Sequence, residues 1–229
     1  MTLSEIRTRI RLMMPEADTT VINNQDLDIL INDAVMDITS KTECIQNYAD
    51  QTVTADTQEY SKPTDAISIT AVYYGGSGNW EKLPRVTMDF LSNEVDEDWF
   101  DDTGTIYAYF IRRDKIGLYQ IPTSSEAGTD YLRVYYVEQP DTLSDNGDVP
   151  FNSLNHLKSY HELIILYVIY HLKQIVGKWQ QSDYIEKNYL AKTVNMKVEL
   201  NRMEDFQQVI RPYHKGAGGS SLKQNPLDQ

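Results

Sequence analysis

The hydrophobic and polar positions along this chain change period twice. Leu3, Ile6, Ile10 and Met13 recur at helical spacing, and Pro15 marks a stop. Thr2-Leu3-Ser4-Glu5 has the form of a capping box, in which the threonine hydroxyl and the glutamate carboxylate satisfy the first amides of a helix. A second helix is predicted after Asn24, which can cap it, with Asp26 and Asp28 near the positive end of its dipole. Its apolar stripe is Leu27, Leu30, Ile31, Ala34, Val35 and Ile38, the pattern of a helix facing a core.

From residue 48 to 138 the period is that of strands. Short β-prone pieces at Gln51–Ala55 and Gln58–Tyr60 precede a turn at Pro63-Thr64-Asp65. Ala66–Tyr74 reads as a strong strand, followed by a glycine-rich loop and a further piece at Trp80–Leu83. Pro84–Val95 has room for a short helix capped by Thr87. Ile106–Arg112, Ile116–Ile121 and Tyr131–Glu138 are three more strands, the first two separated by a hairpin-sized gap. Strands at this spacing suggest an antiparallel sheet or sandwich.

The segment Pro140–Pro150 (PDTLSDNGDVP) reads as a connector. Helical period then returns. Asn152 or Ser153 can cap a helix from about Leu154 to Val176, with Gly177 ending or bending it. Its middle, including Ile164, Ile165 and Val168, is apolar nearly all round and calls for burial on several sides. A last helix runs from about Ser182 to Phe206 with at least one wet face, and a Gly/Ser-rich tail follows from His214. The expected fold class is α+β: a helical bundle from the N- and C-terminal segments, an inserted antiparallel sheet or sandwich, and a flexible C-terminal arm. The expected division is 1–47 for the N-terminal helices, 48–150 for the β domain, 151–213 for the long C-terminal helices and 214–229 for the arm.

Composition narrows the function. The 229 residues are 41% hydrophobic and 24% charged, a globular balance with room for a real core. The longest strongly apolar run, Leu163–Leu172, falls short of the roughly 20 residues a membrane span needs, and no membrane anchor or signal peptide is expected. The net charge of -13 is uneven. Residues 151–229 carry 10 Lys+Arg against 7 Asp+Glu, whereas the rest carries 11 against 27. Such an acidic chain is poorly suited to gripping nucleic acid, although DNA could slide past it. The 16 tyrosines suit half-wet strand faces and interfaces.

Candidate chemistry is sparse. The acidic stretch Glu94–Asp102 invites a cation, yet it lacks the spacing and glycine of a calcium loop, and Asp98 and Asp101 are separated by Trp99 and Phe100. A solvated loop pinned by those two aromatics is the preferred reading. His156, His161, His171 and His214 contain no HExxH spacing, and His161 on an apolar face reads as a satisfied core residue. Cys44 is alone, which excludes an internal disulfide and lacks the setting of a nucleophile. No catalytic, metal or cofactor site is expected. A pair of carboxylates working as a glycan hydrolase and a carbohydrate-binding face of Tyr and Trp remain alternatives.

The order of motifs is informative. Tyr60-Ser-Lys-Pro63 is followed by Trp99-Phe100-Asp101 and Gly104, Tyr107-Ala-Tyr-Phe, Ile116-Gly-Leu-Tyr-Gln-Ile-Pro122 and Tyr131-Leu-Arg-Val-Tyr-Tyr. Then come the Pro140–Pro150 connector and a helix bearing His161-Glu162-Leu163. Over about 200 residues this series resembles the head-to-tail adaptor (connector) proteins of tailed bacteriophages. The resemblance implies a structural virion protein at the head–tail junction, assembled in the bacterial host cytoplasm. It implies a ring, typically of twelve copies, under the portal protein, contacting a tail or nozzle protein. The ring would pass double-stranded DNA without sequence-specific binding during genome ejection. A tail terminator or completion protein is the neighbouring alternative. In such adaptors a terminal arm often packs on the portal, and Lys215, Leu222, Lys223 and Leu227 are its candidate contacts here. If carboxylates line the lumen, phosphates would be repelled rather than held.

Overall fold

A computed structural model of the chain describes residues 1–15, 22–75, 79–95 and 99–209. Two helices come first. α1 (Leu3–Met13) starts with the expected capping box, Thr2 and Glu5 each satisfying the other's amide. α2 (Asn24–Thr42) is capped by Asn23, one residue before the predicted Asn24, because the Asn23 carboxamide reaches the Asp26 amide at 2.8 Å. The strand region holds β1 (Gln46–Val53), β2 (Glu59–Ser61), β3 (Ala66–Tyr74) and β4 (Glu81–Leu83). A single helical turn, α3 (Met88–Phe90), is capped by Thr87 as expected and opens into a wider turn at Leu91–Val95. Then follow β5 (Thr103–Gly104), β6 (Ala108–Arg112), β7 (Lys115–Tyr119), β8 (Ile121–Pro122) and β9 (Gly128–Glu138). α4 (His161–Ile175) and α5 (Trp179–Val209) complete the chain. The fold is α+β.

The strands form two layers. One sheet has the order β1-β9-β3-β4 and the other β2-β7-β6, both antiparallel, while β5 and β8 form a short parallel pair. Alternation drives the sandwich: Val53, Val72, Leu132 and Val134 from the first sheet share one core with Tyr60, Tyr109, Ile116 and Leu118 from the second. The smaller sheet is covered on its other face too, where Ala108, Phe110 and Tyr119 meet Leu91 and Trp99. Gly117 makes this possible, since a Cβ there would stand 2.0 Å from the Phe110 ring that crosses it.

The helices share a separate core. It includes Leu3, Ile6 and Ile10 of α1, Leu27 and Ile31 of α2, Ile164, Ile165 and Val168 of α4, and Tyr189 and Met196 of α5. α4 is the hub, packing against α1, α2 and α5 together. Of the positions predicted as helical core, Leu27, Ile31, Ile164, Ile165 and Val168 are fully buried, whereas Leu30 is only partly covered at the edge of the cluster. Tyr189 binds three helices at once. Its hydroxyl donates a short hydrogen bond to Asp37, and its ring meets Tyr167 and Tyr170.

Several boundaries differ from expectation. β1 and β9 begin at Gln46 and Gly128, earlier than predicted, because Gln46 pairs with Val137 and Gly128 with Val53 in their antiparallel ladder. β6 begins at Ala108 rather than Ile106, and β7 ends at Tyr119. α4 begins at His161, not Leu154, and neither Asn152 nor Ser153 caps it. Phe151, Asn152 and Ser153 all have positive φ, which no helix tolerates, and tight turns fill the interval through Tyr160. The Asn152 carboxamide is committed elsewhere, accepting from the Asp141 amide at 2.8 Å.

The connector is free of helix and strand, as a turn-rich linker should be, and it also packs into the helical core. Residues 140–150 are a built element of the helical core. Leu143 is buried there. Asn32 of α2 clasps it like a strand partner, donating to the Leu143 carbonyl at 3.1 Å and accepting from the Leu143 amide at 2.8 Å. The Asp148 carboxylate accepts from the amides of Ser144 and Asp145, and these bonds hold its pKa below the usual carboxylate range. The carbonyls of Asp148 and Asn146 in turn accept from Leu3 and Ser4, orphan amides at the start of α1. The residues from 210 onward, and with them the predicted arm, lie outside the described residues.

Two measurements probe this packing. Ile164→Ala should lower stability by about 2–5 kcal/mol in urea titration, as for a fully buried aliphatic side chain, and Ile164→Asp should abolish soluble expression. Asn32→Leu, which orphans both Leu143 backbone groups, should cost about 1–3 kcal/mol, although it adds apolar surface. A wild-type midpoint from Asn32→Leu would mean that the connector is not held through this clasp.

Candidate functional site

The residues that first suggest chemistry are structural. Trp99 is buried and donates to the Ser92 hydroxyl at 3.0 Å, with its ring 5.1 Å from Phe110. Phe100 is half exposed with its ring 6.2 Å from Trp99, and the acidic residues 96–98 before them lie outside the described residues. Asp102 accepts from the Tyr119 hydroxyl at 3.3 Å, Asp101 is exposed, and Asp98 lies outside the described residues. Among the described residues no three His, Cys, Asp or Glu side chains gather as a metal would need. None of their helices is long and apolar enough to cross a membrane. Cys44 is buried at the end of α2, and burial pushes its thiol pKa up, the opposite of an activated nucleophile.

His161 is buried as expected, yet only half satisfied. Its Nδ1 stands 2.7 Å from the Met1 amino group, and its ring packs 5.9 Å from Phe151. Its Nε2 is enclosed without a hydrogen-bond partner. Burial, followed by the positive charges of the amino terminus and Lys158, pulls its pKa down to about 4, with Glu5 opposing.

Two surfaces stand out instead, and both consist of side chains with no catalytic geometry. The first is the outer face of the four-stranded sheet. Arg133 of β9 lies over the rings of Tyr48, at 4.5 Å, and Trp80, at 4.6 Å. Asp50 of β1 grips it bidentately at 2.6 Å. Tyr135 adds contacts to Tyr48 and Tyr73, at 5.6 and 5.4 Å. Strand register makes this cluster, because Tyr48 pairs with Tyr135, Asp50 with Arg133 and Tyr73 with Arg133 across the sheet. Tyr48 is half exposed. Tyr, Trp and Arg are the residues that dominate protein interfaces.

The second surface is on α5. One side of the helix, with Ser182, Tyr189, Thr193 and Met196, is buried. The nearly opposite side carries Tyr184, Leu190, Val194 and Val198, which are 75%, 42%, 63% and 44% exposed. Between α5 and the end of α2 lies a groove of about 380 Å³ with Lys41, Leu190, Val194 and Val198 in its wall.

Neither surface was read from the sequence as a site. The signal for the first was alternation within Tyr131–Glu138, which sends Arg133 and Tyr135 to one face. The signal for the second was the three- and four-residue spacing of Tyr184, Lys187, Ala191, Val194 and Val198, hidden among polar neighbours. The predicted contacts Lys215, Leu222, Lys223 and Leu227 lie outside the described residues.

The described residues thus offer an aromatic sheet face and an apolar helix face on an α+β fold. The family model described as SU10 adaptor protein matches residues 1–212. The chain belongs to this family, and it is a phage adaptor protein and a component of the virion. Comparison with curated proteins gives no match.

Buried His161 generates a pH prediction. The folded chain keeps the imidazole neutral, while the unfolded chain protonates it below about 6.5. Its contribution to stability is therefore complete above about pH 6.5 and is lost as pH falls toward about 4. The loss amounts to roughly 3 kcal/mol over that window. His161→Phe should flatten the dependence of the urea midpoint between pH 6.5 and 5. An unchanged slope in the variant would assign the acid sensitivity to other groups.

Proposed function

We propose that this chain forms a ring, typically of twelve copies, beneath the portal protein, and that it joins the DNA-filled head to the tail or nozzle. The family match over nearly the whole described chain carries this reading. In it, residues 1–47 and 151–213 form the ring body, 48–150 form a β domain projecting toward the tail, with the connector 140–150 returning to the ring body, and 214–229 form an arm. The role is structural rather than enzymatic. The charge distribution supports a conduit: residues 1–150 hold 27 of the 34 acidic residues, and carboxylates turned to a lumen repel phosphates so that DNA passes without being held. The outer sheet face around Arg133 supplies a protein-binding surface, its charge already met by Asp50, with the Tyr48 ring exposed and those of Tyr73, Trp80 and Tyr135 partly so.

The arm attaches the ring in this reading. Lys215, Leu222, Lys223 and Leu227 give a basic segment with two aliphatic anchors, and weak contacts multiply when many copies act around one ring. The test is electron microscopy and sedimentation of the chain mixed with portal rings. The expected result is a closed ring of adaptor on one end of the portal. Deletion of residues 215–229 should leave the thermal melt unchanged and weaken portal binding at least tenfold. A full-length chain that ignores portal rings and instead caps tail tubes would overturn the portal reading in favour of tail completion. A truncated chain that binds as tightly as the full one would remove the arm from it.

A further inference from the structure

α5 breaks the rule for a surface helix. A helix with one neighbour is apolar toward that neighbour and polar away from it. α5 is apolar on both sides: Tyr189 and Met196 go into the core, while Tyr184, Ala191, Val194 and Val198 line the side turned away, with Leu190 beside them. Within the stripe the charge is basic, Lys187 lying in it and Arg202 at its end, both exposed, while Asp183 borders its beginning. From residue 184 to 198 the stripe extends about 21 Å along the axis.

The same chain carries a face of matching length and opposite sign. α2 buries Leu27, Ile31, Ala34 and Ile38 and turns Asp26, Ile29, Asp33, Met36 and Ser40 the other way. Ile29 is 54% exposed, Met36 is half-buried, and Asp26 and Asp33 are exposed acids flanking them. From residue 26 to 40 this face also extends about 21 Å. One face offers aliphatic side chains with cations, and the other offers aliphatic side chains with carboxylates. Two different faces that complement each other make a head-to-tail contact, the kind that repeats around a closed ring.

We propose that the outward face of α5 packs on the outward face of α2 of a second copy. This contact would be the helix–helix seam between neighbouring subunits, and it rests on the ring-forming reading above. Lys187 faces the Asp26 and Asp33 carboxylates across it, with Arg202 at the rim, while Val194 and Val198 cover Ile29 and Met36. Like charges on each face disfavour pairing α5 with α5 or α2 with α2, so the contact has a direction.

Photo-crosslinking of the full chain tests the seam. Benzoylphenylalanine replaces Val194, and 14N- and 15N-labelled copies are mixed. Irradiation is done on the concentrated chain alone and on the chain bound to portal rings, and crosslinked peptides are mapped by mass spectrometry. The expected product joins residue 194 of one isotope to a peptide of residues 24–42 of the other. Lys187→Glu with Arg202→Glu should lower that yield at least tenfold. Adding Asp26→Arg and Asp33→Arg in the partner copies should restore it. Crosslinks to portal peptides, to α5 of another copy, or to no second copy in either sample would overturn the seam. Binding to portal rings is scored separately by sedimentation. A chain that binds portal without the α5–α2 product keeps the adaptor reading and loses this one. The product formed by a chain that ignores portal does the reverse.

Discussion

The structure depends on α4 being covered on every side. From His161 to Leu172 this helix buries eight side chains, and its sequence leaves no polar face to give to water. Three helices must therefore surround it, and they come from both ends of the chain: α1 and α2 from the beginning, α5 from the end. That demand places the β domain. A segment inserted between α2 and α4 has to leave the helical core and return to it, so its first and last long strands, β1 and β9, lie side by side. The Glu138 amide donates to the Ile45 carbonyl at 2.9 Å, closing the base of the insertion where the two strands meet the helices.

Periodicity carried much of this to the surface of the sequence. Ala66–Tyr74 is a strand with the expected ends because alternation and glycine-rich punctuation agree there. The capping box at Thr2 and the cap at Thr87 were legible because each is a local exchange between residues three apart. The start of α4 was not legible. Apolar spacing continues back through Leu157 and Leu154, but the three left-handed residues before them are set by tertiary anchors, the buried Phe151 ring and the bond from Asp141 to Asn152. The packing of the connector was not legible for the same reason. Its turn-forming composition is real, yet Asn32 and Leu143 are 111 residues apart, and no local pattern announces their pairing. The surfaces escaped because each is assembled across elements. Arg133 gains meaning only when register brings Tyr48, Asp50 and Trp80 to it.

The two cores have different characters, which bears on how an adaptor could transmit load. The sandwich core is made of β-branched and aromatic side chains held by cross-strand register, which resists sliding. The helical core is long, largely aliphatic and punctuated by a few polar ties, such as Tyr189 to Asp37 and Arg7 to Asp28. Helices packed in this way can shift slightly against one another while keeping their contacts.

The clasp between the connector and α1 also sets an order of events during synthesis. The first amides of α1 are satisfied by carbonyls of Asn146 and Asp148, and its apolar face by α4. Neither partner exists until more than 140 residues have followed it out of the ribosome, on the order of 10 s at ordinary elongation rates. Until α4 emerges, Leu3, Ile6 and Ile10 have only α2 to pack on, while β1 to β9 have all emerged ahead of α4. The sandwich can thus be complete before the helical core closes. The chain's beginning is among the last parts of the protein to find its place.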